Sequence, residues 1–199
     1  YSGGQAAVHT LVIQPDGLIL AGGRFELVNA VPRNNLARLH ADGRLESLFS
    51  PGLGTDGEVL ALALQPDGRV VVGGHFLSVG SQPRLRIARL RPTGGLDPSF
   101  HPTARADGAV ARLALHTDGR ILLAGSFTEV NGAACRRLAR LQPDGTLDPG
   151  FAAPALAGLV SVRAIRVLAD DRLLVAGGFA GGIVRLEPDG SLDPGFQSG

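Results

Sequence analysis

Short apolar runs punctuated by glycine-rich turns dominate the chain. In residues 59–64, VLALAL, Leu60, Leu62 and Leu64 share one face of an extended chain, and Val59, Ala61 and Ala63 share the other. Both faces are apolar, which predicts a strand buried on both sides. Leu11 and Ile13, Leu113 and Leu115, and Ile165 and Val167 hold the matching positions elsewhere. Gln65-Pro66-Asp67-Gly68 follows; proline presets φ, Asp tolerates the turn and Gly supplies φ > 0, so a tight hairpin is predicted. A second strand, 69–74, is β-branched and ends in Gly73-Gly74, the mark of a bulge or a close backbone approach. A variable loop, a third strand over 86–91, a turn at Gly94-Gly95 and a short fourth segment, Leu96-Asp97-Pro98-Ser99-Phe100, complete the unit.

This unit recurs. The motif [GA]-G-x-F ends at Phe25, Phe76, Phe127 and Phe179, spaced 51, 51 and 52 residues apart. The motif [IL]-[AV]-R-L carries Arg38, Arg89, Arg140 and Arg185, spaced 51, 51 and 45. The unit closes on Phe49, Phe100, Phe151 and Phe196 at the same spacing. A period near 50 residues, with three strands and a short fourth, is the size of one propeller blade, and a blade cannot cover both its faces alone. The fold expected is therefore an all-β propeller in one domain, 1–199, with repeats over about 1–51, 52–102, 103–153 and 154–199. By register Tyr1, Thr103, Pro154 and Gly199 all align with Gly52. Starting and ending at one phase fits four blades that close on themselves, or four units of a longer array; the absence of an initiator Met favours the second.

The order strand, QPDG turn, GG-x-F, variable loop, ARL, PDG, LD-P-x-F resembles the delta-60 repeat of bacterial β-propellers. Phe25-Glu26-Leu27-Val28-Asn29 and Phe127-Thr128-Glu129-Val130-Asn131-Gly132 are similar to that family's F-x-x-x-N-G segment. The resemblance covers all four units. It implies a repeat module of a bacterial secreted or cell-surface protein, and no particular ligand. Kelch repeats share the double glycine but want a tryptophan and a tyrosine downstream; this chain has no Trp and one Tyr.

Composition narrows the functional classes. The net charge is +1, so no pull toward nucleic acid is expected, and no apolar stretch is long enough to span a membrane. All 19 basic residues are arginine, which excludes Schiff-base chemistry within the chain. Cys135 is alone, so no internal disulfide and no thiolate metal site is expected. The five histidines are scattered without ligand spacing, and neither a metal nor a cofactor is predicted.

Two sets of residues carry candidate chemistry. Arg38, Arg89, Arg140 and Arg185 recur with Glu46, Asp97, Asp148 and Asp193, one pair per repeat, which predicts structural ion pairs pinning the third strand to the closing segment. Function tends to break repeat symmetry, and these positions keep it. Arg24, Arg33, His75, Arg84, Arg86, Arg136 and Arg137 fall in the variable loops or just before the motif phenylalanine. On one shared rim they would form a positive patch for a carboxylate, sulfate or phosphate. Gly52-Leu53-Gly54-Thr55-Asp56-Gly57 matches G-x-G-x-x-G but precedes a strand, so no helix N-terminus is available for a pyrophosphate. Asp56, Glu58 and Asp107 enter the first strands and are too sparse for a metal. The expected function is a non-enzymatic binding or structural scaffold acting through rim loops on a protein or glycan partner. The alternatives are an enzyme (hydrolase or lyase) using the central opening, and an assembly module that self-associates through open terminal blades.

Overall fold

A computed structural model describes residues 5–101, 104–153 and 161–197, so the aligned termini Tyr1, Thr103, Pro154 and Gly199 lie outside the described residues. The chain divides into two compact units, Tyr1–Pro98 and Ser99–Gly199. The first repeat contains β1 (Ala7–Ile13), β2 (Ile19–Arg24), β3 (Leu27–Val28), β4 (Val31–Pro32) and β5 (Leu36–Leu39). The second contains β6 (Val59–Leu64), β7 (Val70–Gly74), β8 (Ser78–Val79), β9 (Gln82–Pro83) and β10 (Ile87–Leu90). In the other unit, the third repeat contains β11 (Val110–Leu115), β12 (Ile121–Gly125), β13 (Glu129–Val130), β14 (Ala133–Ala134) and β15 (Leu138–Leu141). The fourth contains β16 (Ser161–Val167), β17 (Leu173–Gly178) and β18 (Ile183–Leu186).

Each repeat is one antiparallel three-stranded sheet, in the orders β1-β2-β5, β6-β7-β10, β11-β12-β15 and β16-β17-β18. The expected fourth segment is a single bridge in every repeat: Leu39 to Leu45, Leu90 to Leu96, Leu141 to Leu147 and Leu186 to Leu192. It extends no further because the acidic residue that follows the bridge folds its own turn. Glu46 accepts the amides of Leu48 and Phe49, Asp148 that of Gly150 and Asp193 that of Gly195.

The glycine pair does what its position suggests. In each repeat the pairing of the first two strands shifts register at one residue, His9, Leu60, Ala111 or Arg163. The shift brings a carbonyl onto the glycine two places before the motif phenylalanine, the second of a Gly-Gly pair in the first two repeats and of Ala-Gly in the third and fourth. A Cβ on Gly23, Gly74, Gly125 or Gly177 would sit 2.1, 2.1, 1.8 or 2.0 Å from the carbonyl oxygen of Ala7, Glu58, Ala109 or Ser161. Only glycine fits there.

Within each unit the blades stack front to back. In the first unit Leu20, Leu36 and Phe49 on the front of the first blade pack against Val59, Leu62, Val70, Val72 and Leu90 on the back of the second. In the second unit Leu122, Ala124 and Leu138 pack in the same way against Val162, Leu173, Val175 and Leu186. Each such side chain, taken fully out of water, contributes roughly 1.5–3 kcal/mol. A backbone stitch repeats at the seam, where the residue after the closing phenylalanine donates to the second turn of the next blade. Ser50 N–H donates to Thr93 O at 2.8 Å, His101 to Asp144 O at 2.6 Å and Ala152 to Asp189 O at 2.9 Å. Burial of the first strand on both sides holds for most of β6. In β1, Leu11 and Ile13 are exposed.

The variable loops are ordered ribbons rather than open loops. β3 pairs with β4, β8 with β9 and β13 with β14. Asn29-Ala30, Gly80-Ser81 and Asn131-Gly132 connect them with positive φ at both positions, the type I′ turn whose twist matches a β-ribbon. In the fourth repeat Gly181 and Gly182 close a single tight turn, Gly182 N–H donating to Phe179 O at 3.0 Å, so the short loop read from the sequence is a turn without a ribbon.

Candidate functional site

Each blade has a turn end and a ribbon end, and the two sets of candidate residues separate onto them. At the turn end all four arginine–carboxylate pairs form. Arg38 Nε and Nη2 both donate to Glu46 Oε2, at 2.9 and 2.7 Å. The Nε atoms of Arg89, Arg140 and Arg185 donate to Oδ2 of Asp97, Asp148 and Asp193 at 2.7, 2.6 and 2.5 Å. The guanidinium of Arg38 lies 4.9 Å from the centre of the Phe49 ring, that of Arg140 4.7 Å from Phe151 and that of Arg185 5.1 Å from Phe196. The closing phenylalanine is thus the third member of a clasp. The arginine also crosses the seam: Arg38 Nη1 donates to Pro92 O at 2.7 Å, and Arg140 Nη1 donates to Pro188 O.

A second arginine, not singled out in the sequence, joins three of these clasps from the first turn. Arg69 Nε lies 3.0 Å from Asp97, Arg120 Nη1 3.6 Å from Asp148 and Arg172 Nη1 3.1 Å from Asp193. The signal was available, since these arginines follow the last residue of the first turn, Gly68, Gly119 or Asp171, at the repeat spacing, whereas the first repeat has Leu18 there and the longer Glu46 in place of Asp. Burial alone would push Glu46 and Asp148 up; the main-chain amides and arginines outweigh it and hold both below the ordinary carboxylate value. At Asp193 the Arg185 hydrogen bond is the largest influence, again downward.

The predicted rim arginines take recurring places on the ribbons. Arg33 and Arg84 occupy the same position on two ribbons, where the third has Cys135. Each turns its Nη1 onto the carbonyl of the proline before it, Pro32 at 2.8 Å and Pro83 at 2.6 Å. Arg86 and Arg137 hold the αL position that begins the third strand, with φ of 69° and 65°, as Asn35 does at 63°. Their amides donate to Phe76 O and Phe127 O at 2.9 Å. Arg136 is exposed beside Arg137. The ribbons are held by residues read in the sequence only as stray acids. Asp56 accepts the amides of Leu77 and Ser78 at 2.8 and 2.9 Å. Asp107 accepts those of Thr128 and Glu129 at 2.7 and 2.8 Å, together with the Thr128 hydroxyl. That hydroxyl is the largest influence holding Asp107 below its ordinary value.

One charged group does assemble at a ribbon end, in the first unit. His9 Nε2 lies 3.5 Å from Glu58 Oε2. Arg24 Nη1 reaches Glu58 Oε1 at 3.5 Å and Nη2 donates to Gln5 O at 3.0 Å. His75 is exposed, and its amide donates to Glu58 O at 2.9 Å. Arg24 thus reaches the Glu58 carboxylate, whereas His75 is tied through its amide to the Glu58 backbone carbonyl. Glu58 was legible as an anomaly: the matching residues are Ala7, Ala109 and Ser161. His9 is the bulged residue of β1, where the other blades have Leu60, Ala111 and Arg163.

The G-x-G-x-x-G stretch is a packing motif. Gly54 has φ of +82°, and a Cβ there would lie 2.1 Å from Asn34 O. Burial pushes the Cys135 thiol above its ordinary value, so it is held as the thiol. Among the described residues no group of three His, Cys, Asp or Glu side chains is placed to hold a metal, and no helix is long and apolar enough to cross a membrane.

Comparison with known proteins fits this architecture. The virginiamycin B lyase of Staphylococcus aureus, solved as a catalytically inactive histidine-to-alanine variant with quinupristin, superposes with a TM-score of 0.60 at 17% identity, over 97% of this chain and 56% of the lyase. An extracellular domain from B. thetaiotaomicron superposes with a TM-score of 0.55 at 16% identity, over 89% of this chain and 21% of that one. PorZ, a surface component of the type-IX secretion system of Porphyromonas gingivalis, does so at 0.51 and 13% identity, over 89% and 25%. The chain spans little more than half the length of the lyase, and likeness at these identities concerns the fold. None of the curated proteins matches the chain. A β-propeller family described as a domain of unknown function, DUF5122, matches residues 14–49, 65–100, 116–151 and 168–196. Each match ends on a closing phenylalanine, and the chain belongs to this β-propeller family.

Proposed function

We propose that the chain is a non-enzymatic binding and structural scaffold of a bacterial secreted or cell-surface protein, presenting side chains at the ribbon ends of its blades to an anionic glycan. One observation carries this reading. At the ribbon end the backbone repeats while its side chains change: Arg33, Arg84 and Cys135 share one position, Asn35, Arg86 and Arg137 a second, and Arg24, His75 and Ser126 a third. Side-chain change on a fixed frame suits recognition by a rigid scaffold. Arginine predominates at these positions, which favours carboxylate or sulfate groups. The likeness to extracellular and surface proteins supports the location.

The test is a panel of sulfated and uronic-acid glycans against the chain and an Arg84→Glu/Arg136→Glu variant. Salt-dependent binding that the variant loses supports the reading; no binding by the parent chain, or equal binding by both, sinks it. A second reading, an enzyme, draws on the His9, Arg24 and Glu58 group, a symmetry-breaking cluster of the kind a hydrolase or lyase needs. It predicts turnover of some ester, lactone or cyclic-depsipeptide substrate that His9→Ala abolishes without unfolding the chain.

A further inference from the structure

Where the first strands of two blades meet at the ribbon end, each unit has the same backbone, but the charge is balanced in one and unbalanced in the other. In the first unit the cations come from the first blade and find a carboxylate on the second: His9 and Arg24 each lie 3.5 Å from a Glu58 oxygen. In the second unit Ser161 stands where Glu58 stands, so that carboxylate is missing. The positive charge is not. Arg112 follows the bulged residue of β11, and Arg163 is itself the bulged residue of β16, where the second blade has Leu60. Arg112 is pinned in place. Its Nε donates across the seam to Arg163 O at 2.6 Å, and its Nη1 donates to Ala111 O at 2.7 Å. Two carbonyls thus fix the guanidinium plane against the residue that bears the second cation, while Nη2 donates to nothing among the described residues. Both arginines are exposed, and among the described residues neither is paired with a carboxylate. The acids at this end of the unit are committed elsewhere. Asp107 accepts the amides of Thr128 and Glu129, and Glu129 lies 3.9 Å from Arg105.

We propose that this corner of the second unit is an anion site, in which Arg112 and Arg163 take a doubly charged tetrahedral oxyanion, a phosphate or sulfate group, where Glu58 supplies the negative charge in the first unit. Like charges on adjoining residues repel each other, and an anion between them removes that repulsion and gains charge-assisted hydrogen bonds. Arginine suits the role, because its planar fork matches the oxygens of phosphate two at a time. Two cations without an internal counter-charge select a dianion over a single carboxylate. The inference does not rest on the glycan reading, whose test residues, Arg84 and Arg136, lie on the ribbons.

Isothermal titration calorimetry of residues 1–199 tests this with inorganic phosphate, inorganic sulfate and phenyl phosphate, at low salt and at about pH 8, where phosphate groups carry close to two charges. Saturable binding that weakens as salt is added is expected. Arg163→Gln leaves the Arg163 carbonyl in place and should weaken binding about tenfold or more, the worth of one charge-assisted hydrogen bond. Arg112→Gln should do the same; if that variant melts lower because its pin is lost, Arg163→Gln alone decides. The Arg84→Glu/Arg136→Glu chain should bind phosphate as the parent does, and acetate should bind the parent more weakly than phosphate. Phenyl phosphate binding tighter than inorganic phosphate assigns the site to an ester, and equal or weaker binding assigns it to the free ion. No saturable binding of any of the three anions overturns the proposal. So does binding that Arg163→Gln leaves unchanged, binding lost in the ribbon variant, or acetate binding as tightly as phosphate.

Discussion

The two ends of a blade follow opposite rules. At the turn end the same residues return in every repeat: an arginine, a carboxylate and a phenylalanine, with a bond across the seam from Arg38 and Arg140. At the ribbon end the backbone returns but the side chains do not, and the ribbon itself is absent from the fourth repeat. Buried charge explains the first rule. A guanidinium removed from water needs a well-placed carboxylate beside it, so the positions in the clasp constrain one another. The second rule follows from main-chain bonding. The ribbons hang from Asp56, Asp107 and type I′ turns, which leaves the outward side chains free to differ.

The sharpest way to break this contrast is to remove a clasp. Arg140→Ala leaves the buried Asp148 carboxylate with Arg120 alone, 3.6 Å away, and a loss of about 3–5 kcal/mol in chemical denaturation is expected. Arg185→Ala should cost less, because Arg172 stays 3.1 Å from Asp193, nearer than Arg120 is to Asp148, and Arg185 is the most exposed of the four. Equal losses would mean that burial does not set the strength of the clasp. Next comes Gly125→Ala, whose Cβ would collide with the Ala109 carbonyl; a loss of about 3 kcal/mol is expected, in line with forced overpacking.

A smaller effect is expected from pH. His116 sits where the first two repeats have Gln14 and Gln65, and burial lowers its pKa from 6.5. Arg140 and Arg120 add to that depression, while Asp171 and Asp118 oppose it. The unfolded chain therefore takes up the proton first, and stability should fall as the pH drops below about 6.5. His116→Gln should flatten that slope, and a melting temperature with unchanged pH dependence would assign the slope elsewhere. The paired carboxylates act lower on the scale. Their stabilisation is present at neutral pH and is lost as pH falls below the ordinary carboxylate range. The smallest effect is expected at the ribbons, where Arg136→Ala should move stability by no more than about 0.5 kcal/mol. A larger change would show that the ribbon side chains carry the fold.

Much of the fold was legible because it is written four times. The second-turn glycines, the glycine two places before the motif phenylalanine and the arginine–carboxylate pairs each recur in every repeat, and each has one steric or electrostatic reason. The ribbons were not legible as strands. Two-residue strands such as Ser78–Val79 carry too little periodicity, and only the Asn-Gly of the third repeat announces its turn. The separation of the candidate arginines was also hidden. Arg24 and Arg33 are close in sequence, yet one leaves the strand toward Glu58 and the other folds onto its own ribbon. Sequence proximity says nothing of which way a residue leaves a bulged strand. The His9–Glu58 contact joins two blades and could be suspected only from the missing alanine.

The stitch at the seam sets the boundary of a blade apart from the boundary of a repeat. The division between the two units falls after Pro98, ahead of Phe100 and His101, because His101 bonds to the following blade and the Phe100 ring packs against Gly145 there. What folds together is therefore offset from what recurs in the sequence. A gene segment cut after the recurring phenylalanine, such as 50–100, would hold both partners of its own stitch, Ser50 and Thr93, and offer the next copy a clasp arginine and an apolar face. Tandem duplication of such a segment lengthens the array without inventing a contact, since every new copy arrives with both halves of the joint.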